Sequence, residues 1–236
     1  IKFGVFLDQA GAGFDTVATG HYAQIAAGPD GLWRLRRAPD PVKDQTYFLS
    51  ALNQTQLARI RFPIGYLTKH EVRALAHRYN LPTRDRPDSQ GICFLGKIPY
   101  HDFLKANLGE RPGEIVEAET GRVLGTHPGY WFYTVGQRQG LGLAGGPWYV
   151  TGKDPVTNRV TITHRSFLAR HAGDSFSVRV PHWIATPPAG NALHVRIRHG
   201  ARLTACRLAT TGNGGLAVTM AEADPGIAPG QTAVFY

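Results

Sequence analysis

Cysteine is nearly absent from this chain of 236 residues, with only Cys93 and Cys206 present against 28 Gly and 16 Pro. Two cysteines do not make a disulfide framework, and their neighbours show no metal-ligand spacing, so neither a disulfide-stapled secreted domain nor a metal module is expected. No apolar run approaches the ~20 residues of a membrane span, and no signal-peptide pattern is present; the expectation is a cytoplasmic protein with no membrane partner. Lysine is scarce beside arginine, 6 against 20. Methionine occurs once, at Met220, and the chain opens on Ile1-Lys2-Phe3 without an initiator Met, so a processed or truncated N-terminus is expected. The Gly-rich stretch Gly136-Gln137-Arg138-Gln139-Gly140-Leu141-Gly142 does not match the GxxxxGK[ST] phosphate loop and receives no nucleotide role.

What is present is ordinary for a globular protein: 42% hydrophobic and 10% aromatic residues, in a length that suits two or three domains. The many glycines and prolines favour turns between short strands over a helical bundle. The formal net charge is +9, from 26 Lys and Arg against 17 Asp and Glu. It sharpens within 159–207, where Arg159, Arg165, Arg170, Arg179, Arg196, Arg198, Arg202 and Arg207 face one acid, Asp174. The guanidinium fork grips phosphate oxygens in two places, which points to a polyanion, nucleic acid first. The competing reading is a solvated Arg-rich surface from a compositionally biased genome.

Ile1 to Ala10 reads as a helix stopped at Gly11, and Asp15 to Gly20 as a short buried strand running into Gly20-His21. Helix, strand and then Gly-His is an α/β pattern, in which ligands sit beyond the carboxyl ends of strands. Tyr22–Ala26 and Leu32–Arg36 pair around the turn Gly28-Pro29-Asp30-Gly31. Lys43, Asp44 and Gln45 open a helix expected to run to Arg59, at the end where backbone N–H groups favour anions. Thr68-Lys69-His70-Glu71 is a capping box for a helix to Tyr79. Tyr100–Leu108 reads as a short amphipathic helix. Hairpins follow at 113–125 and 148–162, with a strand expected at Tyr133-Thr134-Val135. From Ser175 onward every segment reads as strand, which suggests a small antiparallel barrel. Within it His194, Arg196 and Arg198 alternate with Val195 and Ile197, predicting one basic face and one core face. Cys206 falls on such a strand and reads as packing.

The other cysteine lies in Asp88-Ser89-Gln90-Gly91-Ile92-Cys93-Phe94-Leu95-Gly96, after the turn-forming run Arg84-Asp85-Arg86-Pro87. A thiolate presented by a loop is a candidate nucleophile or sulfur carrier. A small hydrophobe packed between Ile92 and Phe94 is the other reading of the same residues.

Ile1-Lys2-Phe3, Ala18-Thr19-Gly20-His21-Tyr22-Ala23, Lys43-Asp44-Gln45-Thr46-Tyr47-Phe48-Leu49, Asp88 to Phe94, Thr134-Val135-Gly136-Gln137-Arg138 and Pro229-Gly230-Gln231 together resemble the bacterial tRNA-specific 2-thiouridylases. Each motif is short; six in order along nearly the whole chain make the resemblance specific. It implies an α/β domain of the ATP-binding PP-loop type (here partial) over 1–96, a small central β-rich domain over 97–158 and a C-terminal antiparallel β-barrel over 159–236. It implies ATP, with Mg2+, as the cofactor that activates C2 of the wobble uridine, and tRNA and a sulfur-donor protein (a cysteine desulfurase or a sulfur-relay protein) as partners. Cys93 matches the persulfide-carrying cysteine and Gly20 a position at the ATP site. His21, Lys43, Asp44, Gln45, Arg198, His199 and Gln231 match tRNA-contacting positions, although the family usually has Tyr where His199 stands. The family's SGG-type loop and first catalytic cysteine, which would close a disulfide on Cys93, are not found. The expectation is therefore a fragment that by itself neither binds ATP properly nor completes thiolation. Two other readings stay open: a non-enzymatic RNA-binding protein with a structural Cys93, and a PP-loop ligase acting on a small molecule.

Overall fold

The computed structural model describes residues 2–87 and 98–236, so the Cys93 stretch lies outside the described residues. The described residues gather into two compact units: one within 1–86, 177–221 and 232–236, the other within 87–176 and 222–231.

The first unit begins with short elements: α1 (Val5–Asp8), β1 (Val17–Ala18), β2 (Ala23–Ala27), β3 (Trp33–Arg37), α2 (Thr46–Leu49), α3 (Gln54–Arg59), β4 (Ile60–Arg61) and α4 (Lys69–Arg78). β1 lies parallel to β4, with Val17 opposite Ile60, and β2 and β3 form the expected hairpin, with Ile25 opposite Leu35. The helix expected over 1–10 shrinks to the four residues of α1. Gly4 stands at its N-cap, and a glycine within a helix costs about 1 kcal/mol relative to Ala, so the helix does not extend back through it.

The helix expected over 43–59 is two helices, for a local reason. The Asn53 side chain accepts the Gln56 N–H at 2.9 Å, and the Gln56 side chain accepts the Asn53 N–H at 3.0 Å. This reciprocal cap starts α3 afresh and takes Asn53 out of helical geometry. Elements this short need outside support, which polar side chains supply. Gln54 accepts from the Trp33 N–H at 2.7 Å and donates to the Trp33 carbonyl at 2.8 Å, and Gln56 donates to the Phe3 carbonyl. Beneath them Phe3, Ala23, Leu49, Leu52, Leu57, Ile60 and Phe62 form the buried cluster. Gly65 is obligatory there, because a Cβ would stand 1.7 Å from the Ala23 carbonyl oxygen.

In the second unit α5 (Tyr100–Leu108) precedes β5 (Gly113–Glu117), β6 (Val123–His127), β7 (Trp148–Asp154) and β8 (Arg159–His164), in the order β6-β5-β8-β7. β5 runs parallel to β8 and the other pairs are antiparallel. The core is Ile115, Tyr133, Leu141, Val150, Val160 and Ile162. The strand expected at 133–135 does not form. Tyr133 follows a 3-10 turn over Tyr130–Phe132, and its carbonyl accepts from Lys153 Nζ at 2.8 Å.

A five-stranded sheet holds β9 (Gly173–Val178), β10 (Ala192–Arg196), β11 (Thr204–Thr210), β12 (Leu216–Asp224) and β13 (Val234–Phe235), in the order β13-β10-β11-β12-β9. Leu216, Val218 and Met220 alternate inward on β12, and Cys206, opposite Met220, is buried among them. The alternation expected around Arg196 fails. Val195 and Arg196 are both buried, at 2% and 1% exposure, so β10 is covered on both faces at this point. One face carries Val195 and the other turns Arg196 toward Asp44.

Candidate nucleic-acid interface

The loop before α2 is shaped by Asp40. Its Oδ1 accepts the N–H groups of Val42 and Lys43, both at 3.0 Å, and its Oδ2 accepts the Lys69 N–H at 2.9 Å. These bonds hold the Asp40 carboxyl below the usual carboxylate range, the Lys69 bond most. They also set where Lys43 and Asp44 emerge.

Asp44 turns inward, with 2% of its surface exposed. Its Oδ2 meets Arg37 Nε at 3.0 Å and Arg196 Nη1 at 2.9 Å, while its Oδ1 accepts the Thr46 hydroxyl at 2.8 Å and the Thr46 N–H at 3.2 Å. Burial pushes its pKa up, but Thr46, Arg37 and the Arg196 charge outweigh that and leave it lowered. Tyr236 closes the cluster: its hydroxyl lies 3.0 Å from the Thr46 hydroxyl, and the Arg196 guanidinium sits 5.1 Å from its ring centroid. The Asp44 carboxylate is thereby engaged on both oxygens.

Gln45 ties this loop to the segment before β2. Its N–H donates to the Tyr22 carbonyl at 2.9 Å, and its side chain accepts the Tyr22 N–H at 3.0 Å. Next to Tyr22, His21 packs between Phe3 and Phe62, with ring centroids 5.5 and 5.6 Å away, and its Nδ1 lies 2.8 Å from the Thr19 hydroxyl. Burial, helped by the Lys2 charge, lowers its pKa to about 4. At neutral pH His21 is therefore an uncharged ring. Gly20 is exposed just beyond β1, and a Cβ there would meet only Ile64 Cδ1 at 3.8 Å.

The far side of Asp44 leads to the surface. Tyr47 and Phe48 are the next two residues after Thr46 on α2, and Arg198 and His199 follow β10 directly after Ile197. The Phe48 and His199 rings stack, with centroids 4.6 Å apart and planes 26° from parallel, and Tyr47 meets both edge-on. Arg198 and His199 are exposed, and Phe48 is 63% exposed. Gln231 is exposed in the second unit, where its N–H donates to the Ala228 carbonyl at 3.4 Å. Cys93 lies outside the described residues. Cys206 is 4% exposed, with its thiol pKa pushed up by burial.

Of the sequence-derived candidates, the first unit thus brings together Gly20, His21, Lys43, Asp44, Gln45, Arg198 and His199. Sequence reasoning missed Arg37, Arg196 and Tyr236 as the cage around Asp44. The only hint was an acidic residue amid an excess of arginine. In the sequence Phe48 stands within the Lys43–Leu49 motif with nothing to mark a role of its own.

Three family models match in succession: a tRNA methyl transferase HUP domain over residues 1–97, a tRNA methyl transferase PRC-barrel domain over 101–164 and an aminomethyltransferase beta-barrel domain over 173–236. They accord with an α/β beginning and a β-rich remainder. Among curated relatives, the tRNA-specific 2-thiouridylase MnmA 1 of Bacteroides thetaiotaomicron is 47% identical over 241 residues, covering 100% of this chain and 68% of the relative. The tRNA-specific 2-thiouridylase MnmA of Parabacteroides distasonis is 45% identical over 244 residues, covering 100% and 67%. That of Porphyromonas gingivalis is 43% identical over 250 residues, again covering 100% and 67%.

Proposed function

Because this chain belongs to the tRNA-specific 2-thiouridylase family, we propose that it serves in replacing the C2 oxygen of the wobble uridine of tRNA with sulfur. The segment models are described in terms of methyl transfer and the relatives in terms of thiolation; similarity along the whole chain outweighs labels on its parts. The observation that carries the reading is the exposed cluster of Phe48, Arg198 and His199 beside the Lys43 loop. A cation and flat rings at one surface suit an RNA strand with unpaired bases.

Lys43, Arg198 and Gln231 hold the RNA, with Asp44 and Gln45 acting from behind: Asp44 anchors the loop to β10, and Gln45 anchors it to Tyr22. His21 meets the RNA as a neutral ring. Gly20 takes part in the ATP site; its exposed backbone beyond a parallel strand, with no side chain to fill the space, fits close approach of a nucleotide. When bound, ATP with Mg2+ supplies the group that makes the C2 oxygen a leaving group.

Cys93 carries the sulfur. Its thiolate attacks the outer sulfur of the donor protein's persulfide, forming a new S–S bond and releasing the donor thiolate. The outer sulfur loaded there attacks C2 of the uridine and the activated C2 oxygen departs; a second thiolate then attacks the Cys93 sulfur, breaking its bond to the transferred sulfur and forming a disulfide with Cys93. Cys206 is unsuited to that second role, being sealed in a sheet with its thiol pKa raised. The domains work as three parts, 1–96, 97–158 and 159–236, in a cytoplasmic setting.

The test is loading. Incubated with a cysteine desulfurase and free cysteine, the chain gains one sulfur at Cys93 by alkylation and mass spectrometry, with none at Cys206, and Cys93→Ser abolishes it while leaving tRNA affinity within twofold. A chain that binds tRNA but never loads Cys93 is an RNA-binding protein with a structural cysteine.

A further inference from the structure

We infer that Phe48 and His199 form a stacking platform for one unpaired base of the RNA. The inference rests on the tRNA-binding reading above and adds residues and a contact type to it. Phe48 is a large apolar ring 63% exposed on a helix of four residues. It holds His199 at 4.6 Å and 26° from parallel, with Tyr47 edge-on to both. Such a stack presents an open ring face, and each nucleobase has a matching π-face whatever its identity.

The platform is assembled on purpose-built supports. Its two rings come from segments far apart in sequence, α2 and the end of β10. These are joined by the buried Asp44–Arg196 pair, four residues before Phe48 and three before His199, and α2 is held further by the Thr46–Tyr236 contact. Tyr47 is fastened as well, its hydroxyl donating to the Thr232 carbonyl at 2.8 Å. The rings thus meet the RNA already in place, which lowers the ordering cost of binding. Arg198, next to His199, puts a cation where the phosphate of the stacked nucleotide would pass. Charge complementarity with a chain of net charge +9 makes RNA the occupant.

Stacking and phosphate contacts differ in their response to salt, and this separates them. Using the whole chain and unmodified tRNA transcripts, Phe48→Ala is expected to weaken binding by about 5- to 100-fold with an unchanged slope of log affinity against log salt. Phe48→Trp should hold affinity within about threefold, and His199→Ala should reproduce the Phe48→Ala loss in part. Arg198→Ala should instead flatten the slope by about 0.7 to 0.9. Transcripts carrying 2-aminopurine singly at unpaired positions should include one that is quenched by the wild type and released by Phe48→Ala. If wild type and Phe48→Ala bind tRNA equally, the platform is refuted and the tRNA reading stands. If Phe48→Ala loses only its capture of the sulfur-donor protein, the face belongs to a protein. If the wild type fails to bind tRNA at all, both the platform and the reading beneath it fall.

Discussion

Where the second unit closes its interior with Ile115, Val150, Val160 and Ile162, all fully buried, the first closes part of its own with Asp44 and Arg196, almost as inaccessible. An aliphatic core gains stability from area and tolerates approximate shape. A buried ion cluster gains only when each charge meets its partner in good geometry, and it fails abruptly when one is removed. The first unit accepts that risk because the pair sets a register. Arg37 and Arg196 converge on one carboxylate oxygen, and the segments that follow Asp44 and Arg196 present Phe48, Arg198 and His199 outside. Among the described residues Arg196 Nε and Nη2 are buried without hydrogen-bond partners, so the arrangement is costly for stability and retained for position.

The sharpest way to break this contrast is Asp44→Ala, which strands Arg196 beside Arg37. It should destabilise by about 4 kcal/mol in denaturant unfolding and scatter the platform, lowering tRNA affinity as well. Ile162→Ala in the second unit should cost about 3 kcal/mol by leaving a cavity, with tRNA affinity per folded molecule unchanged. Equal effects of both variants on RNA binding would erase the distinction.

A smaller effect comes from His21. Its folded pKa, about 4, lies below the ordinary 6.5, so the unfolded state binds the proton more readily. The stability this ring contributes is present above pH 6.5 and is lost as pH falls from 6.5 toward 4. Partial exposure holds the loss to about 2 kcal/mol. His21→Gln should flatten the stability profile across that window, leaving the acid loss due to Asp44 below it. Asn53→Ala should have the least effect, about 1 kcal/mol, as one helix cap is removed. Its smallness would show that α3 is held mainly by Leu57 in the core and by the Gln54 and Gln56 side chains.

Much of the local architecture was legible in advance. The 28–31 turn placed the β2–β3 hairpin, and the Thr68–Glu71 box began α4. The misreadings share one cause. The 43–59 helix ignored a cap hidden within it, the 133–135 strand ignored Lys153 arriving from β7, and the basic strip at 194–198 ignored what covers its second face. Period-two alternation says that neighbours point opposite ways and is silent on whether either side meets water. The site divides likewise. The positions of Lys43, Gln45, Arg198 and His199 followed from motif order, but their meeting, and the inward turn of Asp44, did not.

Residue order alone settled the family, the α/β beginning, the β-rich remainder and most element boundaries, because caps, turns and alternation act over a few residues. The fold decided that Arg196 is interior, that Asp44 is a tie between segments, and that Phe48 and His199 touch. A charge is buried or solvated according to the partner a distant stretch of chain delivers, and no local pattern carries that information.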